Sequence, residues 1–342
     1  MSKQSTYSFH FITLLAVLLL CFILNICLGS VSISFLETLK ALFGTVTEDA
    51  SYYIIWEYRL PKAITAILVG GGLSLSGLLM QTLFRNPLAG PYVLGISSGA
   101  SLGAALLIMG TSLFSGAFAF STFNDITLAI ASSLGSFLVL SLVLVVAAKV
   151  KDTMALLIIG LMFGSITAAI VSVLSYFSKA EKLQQYIFWS FGSLGNLSWT
   201  QLLIVVLCTL IGIFLSIISI KPLNAFLLGE NYAKSLGVGL QKSRYIIIVA
   251  TGLLAGSITA FAGPIAFVGL AVPHITKQLF HTTDHKIQIP AVLCCGAILM
   301  LLCDTIAQLP GSVSVLPINA ITSIFGAPVV IWLLIRKRKM IF

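Results

Sequence analysis

The stretch RNPLAGPYVLGISSGASLG, residues 85–103, lies between two long apolar runs. It breaks at Arg85-Asn86-Pro87, breaks again at Gly90-Pro91, and then sets Gly95, Gly99 and Gly103 four residues apart. Proline ends helical geometry and pushes the residue before it towards extended backbone, so residues 85–91 read as a tight turn. Glycines at i, i+4 and i+8 make one smooth stripe on a helix, flanked here by Ser97, Ser98 and Ser101. Such stripes let helix backbones approach closely in a bilayer, and they equally permit sliding between helices. The preceding run repeats the device with Gly70, Gly71, Gly72, Ser74, Ser76 and Gly77.

The rest of the chain says which solvent these residues meet. Of 342 residues, 58% are hydrophobic and 8% charged, with a mean hydropathy of +1.10, against about 25% charged in an ordinary soluble domain. Too few charges are present to cover a water-facing surface. Runs of about 20 apolar residues recur from end to end, each long enough to carry a helix through about 30 Å of hydrocarbon. The expected fold is an all-α polytopic membrane protein of about ten transmembrane helices in one domain, 1–342. The spans fall at roughly 10–28, 62–83, 93–110, 126–148, 154–177, 200–220, 244–261, 262–280, 289–309 and 313–335. Gly263-Pro264 divides a run too long for one crossing. The first run exceeds the usual signal-peptide apolar core of about 7–15 residues and is read as a retained span.

With the N-terminus inside, 14 of the 19 basic residues fall in cytoplasmic segments. That excess places both termini in the cytoplasm. The net charge of +9 then needs no nucleic acid to explain it, and RKRK at 336–339 reads as a stop signal against lipid headgroups. The six cysteines lie in apolar runs without metal-ligand spacing, as small buried hydrophobes do.

Five stretches resemble one known family. They are residues 59–104, FWSFGSLGNLSW (188–199), LGENYAKSLGV (228–238), AGPIAFVGLAVPHITK (262–277) and LPINAITSIFGAPVVIWLL (316–334). Together they are similar, in order, to the permease subunits of type II ABC importers for ferric siderophores, haem and cobalamin. The resemblance implies a homodimer with a second permease copy, two cytoplasmic ATPase subunits and an extracytoplasmic substrate-binding protein. It implies no cofactor in this chain, ATP and Mg being bound by the partner ATPase, and no catalytic or metal residues. The chain itself lacks the G-x-x-x-x-G-K-[ST] phosphate loop.

The inner segment at about 221–243 sets Leu228, Tyr232 and Leu236 at i, i+4 and i+8, with Glu230 and Lys234 opposite and Gly237 placed to stop a helix. On pattern alone this is a short amphipathic helix that could lie on headgroups. The resemblance makes it the coupling helix that seats in the ATPase, with Leu228, Gly229, Glu230, Tyr232, Ala233, Leu236 and Gly237 as its residues. By the same resemblance Arg59 and Lys62 match a basic pair that docks the binding protein, although cations at a span end also snorkel to the interface. Thr153 and Met154 match the start of a span lining the cytoplasmic gate; Asp152 or Thr153 could equally be an N-cap. The chain departs from the family in having Gln308 after Asp304 and Val315 before Leu-Pro. Asp304 and His274 are polar residues within spans, and local hydrogen bonds to freed backbone are expected of both.

Two other classes compete. An ion-driven secondary transporter favours carboxylates deep in the spans at broken helices, and little beyond Asp304 offers one. An intramembrane enzyme needs clustered catalytic groups, but Ser, His and Asp are scattered here. Among importer substrates the resemblance favours an iron chelate, a ferric siderophore before haem or cobalamin.

Overall fold

The computed structural model describes residues 3–29, 31, 33–42, 50–110, 125–150, 152–195, 197–308 and 315–336. Lys151 and the basic residues 337–339 of the orientation argument lie outside them. The described residues form helices α1 (Lys3–Cys27), α2 (Phe35–Leu42), α3 (Ala50–Tyr53) and, after a π-helical turn, α4 (Leu60–Leu83). A 3-10 turn at Pro91–Leu94 leads into α5 (Ile96–Ile108), followed by α6 (Asp125–Lys149), α7 (Thr153–Tyr176), α8 (Ala180–Ser190) and α9 (Trp199–Ile218). Then come α10 (Ile220–Leu227), α11 (Glu230–Ser235), α12 (Leu240–Ala262), α13 (Val268–Phe280), α14 (His285–Ala307) and α15 (Ile318–Arg336).

Seven of the described segments are long and apolar enough to cross a membrane, with α5 and α15 as shorter apolar helices. Every expected span holds a helix, but α5 and α13 have only 13 residues each, a rise of about 20 Å. Their missing turns are irregular backbone. Tyr92 Oη donates to the Ile265 carbonyl at 3.1 Å and accepts from the Ile265 N–H at 3.3 Å. The Gly90-Pro91 and Gly263-Pro264 breaks therefore meet inside the bundle.

The expected turn is present at residues 84–88, where the Arg85, Asn86 and Ala89 N–H groups donate to the Thr82, Gln81 and Asn86 carbonyls and Arg85 and Leu88 are exposed. Residues 89–91 are buried, and α13 reaches the turn, His274 Nε2 lying 2.8 Å from the Pro87 carbonyl. Non-helical backbone at membrane depth survives only where protein supplies its hydrogen bonds. His274 thus does serve freed backbone, but from 187 residues away.

The core is α4, whose buried residues run almost without interruption from Val69 to Leu83. A Cβ on Gly70 would sit 2.1 Å from the Gly296 carbonyl of α14, and one on Gly77 would sit 1.8 Å from the Gly269 carbonyl of α13. Only residues without a Cβ allow those backbones to touch. At the other extreme, α7 is covered along one narrow stripe, Thr153, Leu156, Gly160, Thr167 and Leu174.

α1 begins beside α13's last residue, Tyr7 lying 6.3 Å from Phe280 ring to ring. α15 begins at the opposite end, where the Asn319 N–H donates to the Phe191 carbonyl. The end carrying α11 is called the inner end, after the orientation expected from the charge distribution.

Candidate functional site

At the inner end, α10 and α11 are separated by Gly229 at φ 106°, and α11 is closed by Gly237 at φ 78°. Both values lie where only glycine is unstrained. Leu228, Tyr232 and Leu236 are 62%, 53% and 59% exposed, whereas Ala233 is fully buried. The expected single amphipathic helix is thus broken at Gly229: Leu228 ends α10, Tyr232 lies on α11 and Leu236 follows it.

Glu230 faces inward. Its Oε1 accepts from Arg244 Nη2 at 2.6 Å and from the Thr153 hydroxyl, and Arg244 Nη2 also donates to Thr153 Oγ1 at 3.0 Å. One carboxylate thus joins α11 to the first residue of α7 and the first turns of α12. Two sequence-derived groups, Glu230 of the coupling set and Thr153 of the gate pair, are brought together. Asp152 caps α7, accepting from the Met154 N–H at 3.0 Å, and Met154 itself is exposed. An open cleft of about 930 Å³ lies between these elements, lined by Arg85, Thr153, Met154, Leu228, Glu230 and Tyr232. Sequence reasoning used Arg244 only as a cytoplasmic charge. A cation near a helix N-terminus opposes the helix dipole, and that was the available signal that it has an anionic partner.

A second cluster holds α10. Asn224 Oδ1 accepts from His285 Nδ1 at 2.6 Å and from the His285 N–H at 3.0 Å. Asn224 Nδ2 donates to Asp284 Oδ1 at 2.8 Å, and His285 Nε2 lies 2.9 Å from Thr82 Oγ1. Burial alone would raise the Asp284 carboxyl. The Lys286 N–H and the Asn224 amide, with the Lys286 and His285 charges, outweigh it and hold the group below the ordinary carboxylate range.

At the outer end the two predicted docking cations are turned inward. Arg59 is 8% exposed; its guanidinium donates to the carbonyls of Ile26 at 2.7 Å and Cys27 at 2.9 Å, and to that of Val31. Lys62 Nζ lies 3.1 Å from Asp304 Oδ1. Asp304, 2% exposed, also accepts from Asn25 Nδ2 at 3.0 Å and Gln308 Nε2 at 2.7 Å. The expectation that Asp304 serves freed backbone is corrected: its oxygens take side-chain donors from α1, α4 and the end of α14, because a buried carboxylate needs charged or amide partners.

The glycine stripe of α5 lies on α6. Cβ atoms at Gly99 and Gly103 would come within 2.6 and 2.0 Å of the Gly135 and Ala131 carbonyls. Gly95, at φ 74°, starts the helix against Gly160 of α7.

The FecCD transport family matches residues 17–336. This chain belongs to that family. It is 38% identical over 285 residues to the vitamin B12 import system permease protein BtuC of Klebsiella pneumoniae, covering 83% of each chain. It is 36% identical over 286 residues to BtuC of Salmonella typhimurium, covering 83% of this chain and 84% of that one. Among solved structures, a chain described as a metal-chelate type ABC transporter in an inward-facing conformation superposes with a TM-score of 0.82 at 30% identity, over 95% of this chain and 98% of that one. PsaBC from Streptococcus pneumoniae, at 16% identity and a TM-score of 0.53, covers 87% of this chain and 95% of that one, a likeness of fold alone. This FecCD chain is therefore a multi-pass inner-membrane permease of the type II ABC importer class.

Proposed function

We propose that this chain is the membrane-spanning half of an ATP-driven importer that brings an iron chelate, a ferric siderophore before haem, into the cytoplasm. One observation carries the ATP-driven part: Leu228 at the end of α10, Tyr232 on α11 and Leu236 just after it are exposed, while α11 is tied to α7 and α12 through Glu230. A short helix with an uncovered apolar face and a charged root suits a seat in a separate ATPase that holds ATP and Mg. Hydrolysis biases the permease only through contacts that differ between its two states. The thinly covered α7 supports a second copy of the chain as its missing neighbour, two permeases and two ATPases working with one extracytoplasmic binding protein. A binding protein would meet the outer end, where Lys62 and Arg59 would have to leave their present partners to take part.

Cobalamin is the second reading, favoured by the identity to the BtuC permeases. The deciding experiment purifies the tagged chain with its partners and loads proteoliposomes with ATP. Uptake of 55Fe-ferrichrome, haemin and 57Co-cyanocobalamin is then compared. ATP-dependent accumulation of the ferric siderophore is expected. Accumulation of cobalamin alone would replace the substrate, and uptake driven by an ion gradient without ATP would overturn the proposal.

A further inference from the structure

The 219–239 segment is held at two places of unlike character. α10 is pinned by Asn224 to His285 and Asp284, and through His285 to Thr82 at the end of α4. Those residues close the α4–α14 seam, where Gly70 and Gly296 leave no room for even a methyl group between backbones. A seam packed that closely resists small displacements. Beyond Gly229, α11 is pinned by Glu230 to Arg244 and Thr153, and Thr153 opens the helix with few buried side chains. Gly229 itself is loosely surrounded, a would-be Cβ meeting only the end of the Arg85 side chain, Nη1 at 3.5 Å.

We propose that the Asn224–His285–Thr82 cluster is the fixed pivot of the coupling segment and that Arg244, bridging Glu230 and Thr153, is the positioning residue that passes α11's movement to α7. The proposal rests on the reading above that α11 docks on an ATPase. Rotation about Gly229 moves the Glu230 carboxylate, and the carboxylate carries Thr153 and with it the first turn of α7. α7 follows because few of its side chains are buried within its own chain, whereas α4 and α14 stay. Without Arg244 the carboxylate keeps only the threonine hydroxyl and loses its cationic partner.

The test uses the assembled permease–ATPase complex in nanodiscs, with nitroxides at Tyr176→Cys on the far end of α7 in a background lacking the native cysteines. Pulsed EPR reads the distance between labels on the two copies, with and without ATP, Mg and vanadate, and ATP hydrolysis is measured on the same samples. The parent is expected to show a nucleotide-dependent shift. Arg244→Gln should keep hydrolysis within about twofold while at least half of the shift is lost. Exchanging the charges, Glu230→Arg with Arg244→Glu, should restore it, and Thr153→Ser should retain it where Thr153→Val does not. A full shift in Arg244→Gln, or a parent whose α7 labels do not move with nucleotide, overturns the lever. Absence of any associated ATPase overturns instead the function proposed above, which keeps the two failures distinct.

Discussion

The two ends of the molecule each carry a carboxylate with basic partners, and they use it differently. At the outer end Asp304 is sealed, with Lys62, Asn25 and Gln308 around it. At the inner end Glu230 is partly open to solvent, and its partners begin two other helices. A sealed cluster is costly to break because an orphaned charge stays buried. A half-open one loses less when its partner leaves, since water takes over. The first arrangement suits a static staple and the second a contact that is remade during a cycle.

The largest expected effect tests the staple. Asp304→Ala should destabilise the detergent-solubilised protein by about 3–5 kcal/mol, read by thermal unfolding, because Lys62 is left without its anion. Asp304→Leu with Lys62→Met should recover most of that loss; if the single variant melts with the parent, the two ends are alike after all. Next, Arg59→Gln strips two carbonyls at the end of α1, and that of Val31 beyond it, of their donor. It should cost about 1–3 kcal/mol in the same assay while leaving the salt dependence of binding-protein association unchanged. Loss of salt dependence with unchanged stability would return Arg59 to a docking role.

At the inner end, Leu228→Asp with Tyr232→Asp should leave folding unchanged and weaken ATPase co-purification about tenfold, which is 1.4 kcal/mol at the covered stripe. Undiminished co-purification would leave the stripe to the headgroups. The smallest effect concerns Asp284. Its carboxyl titrates below the ordinary range, so its contribution is present above about pH 4, the unfolded value, and fades as pH falls through the lower folded value. Thermal stability of Asp284→Asn and the parent should therefore converge in acid and differ slightly at neutral pH. A constant difference across that window would show that Asn224 and Lys286 do not hold the ionised form.

Much of the bundle was legible in the sequence because its signals are local. Apolar runs located the helices, and Gly95, Gly99 and Gly103 marked a face that does lie on α6. The spacing of Leu228, Tyr232 and Leu236 suggested one amphipathic helix; all three are exposed, but Gly229 breaks the backbone after Leu228 and only Tyr232 lies within α11. The irregular stretches were harder. Pro87, Pro91 and Pro264 show that helices stop, but a proline does not say whether the chain then runs over the surface or back into the bundle. That depends on Tyr92 and His274 finding carbonyls far away in sequence.

The direction in which a long charged side chain turns is settled the same way. Arg59 and Lys62 stand at a span end, and composition alone allows them water, lipid headgroups or a partner protein. α1 brings the Ile26 and Cys27 carbonyls to Arg59, and α14 brings Asp304 to Lys62. The sequence by itself determined a membrane solvent, the helices and the faces they can pack, since these follow from hydropathy and period along one segment. Which ion meets which was decided only by the tertiary structure. Glu230 and Thr153 are 77 positions apart, and no pattern within either segment encodes the other.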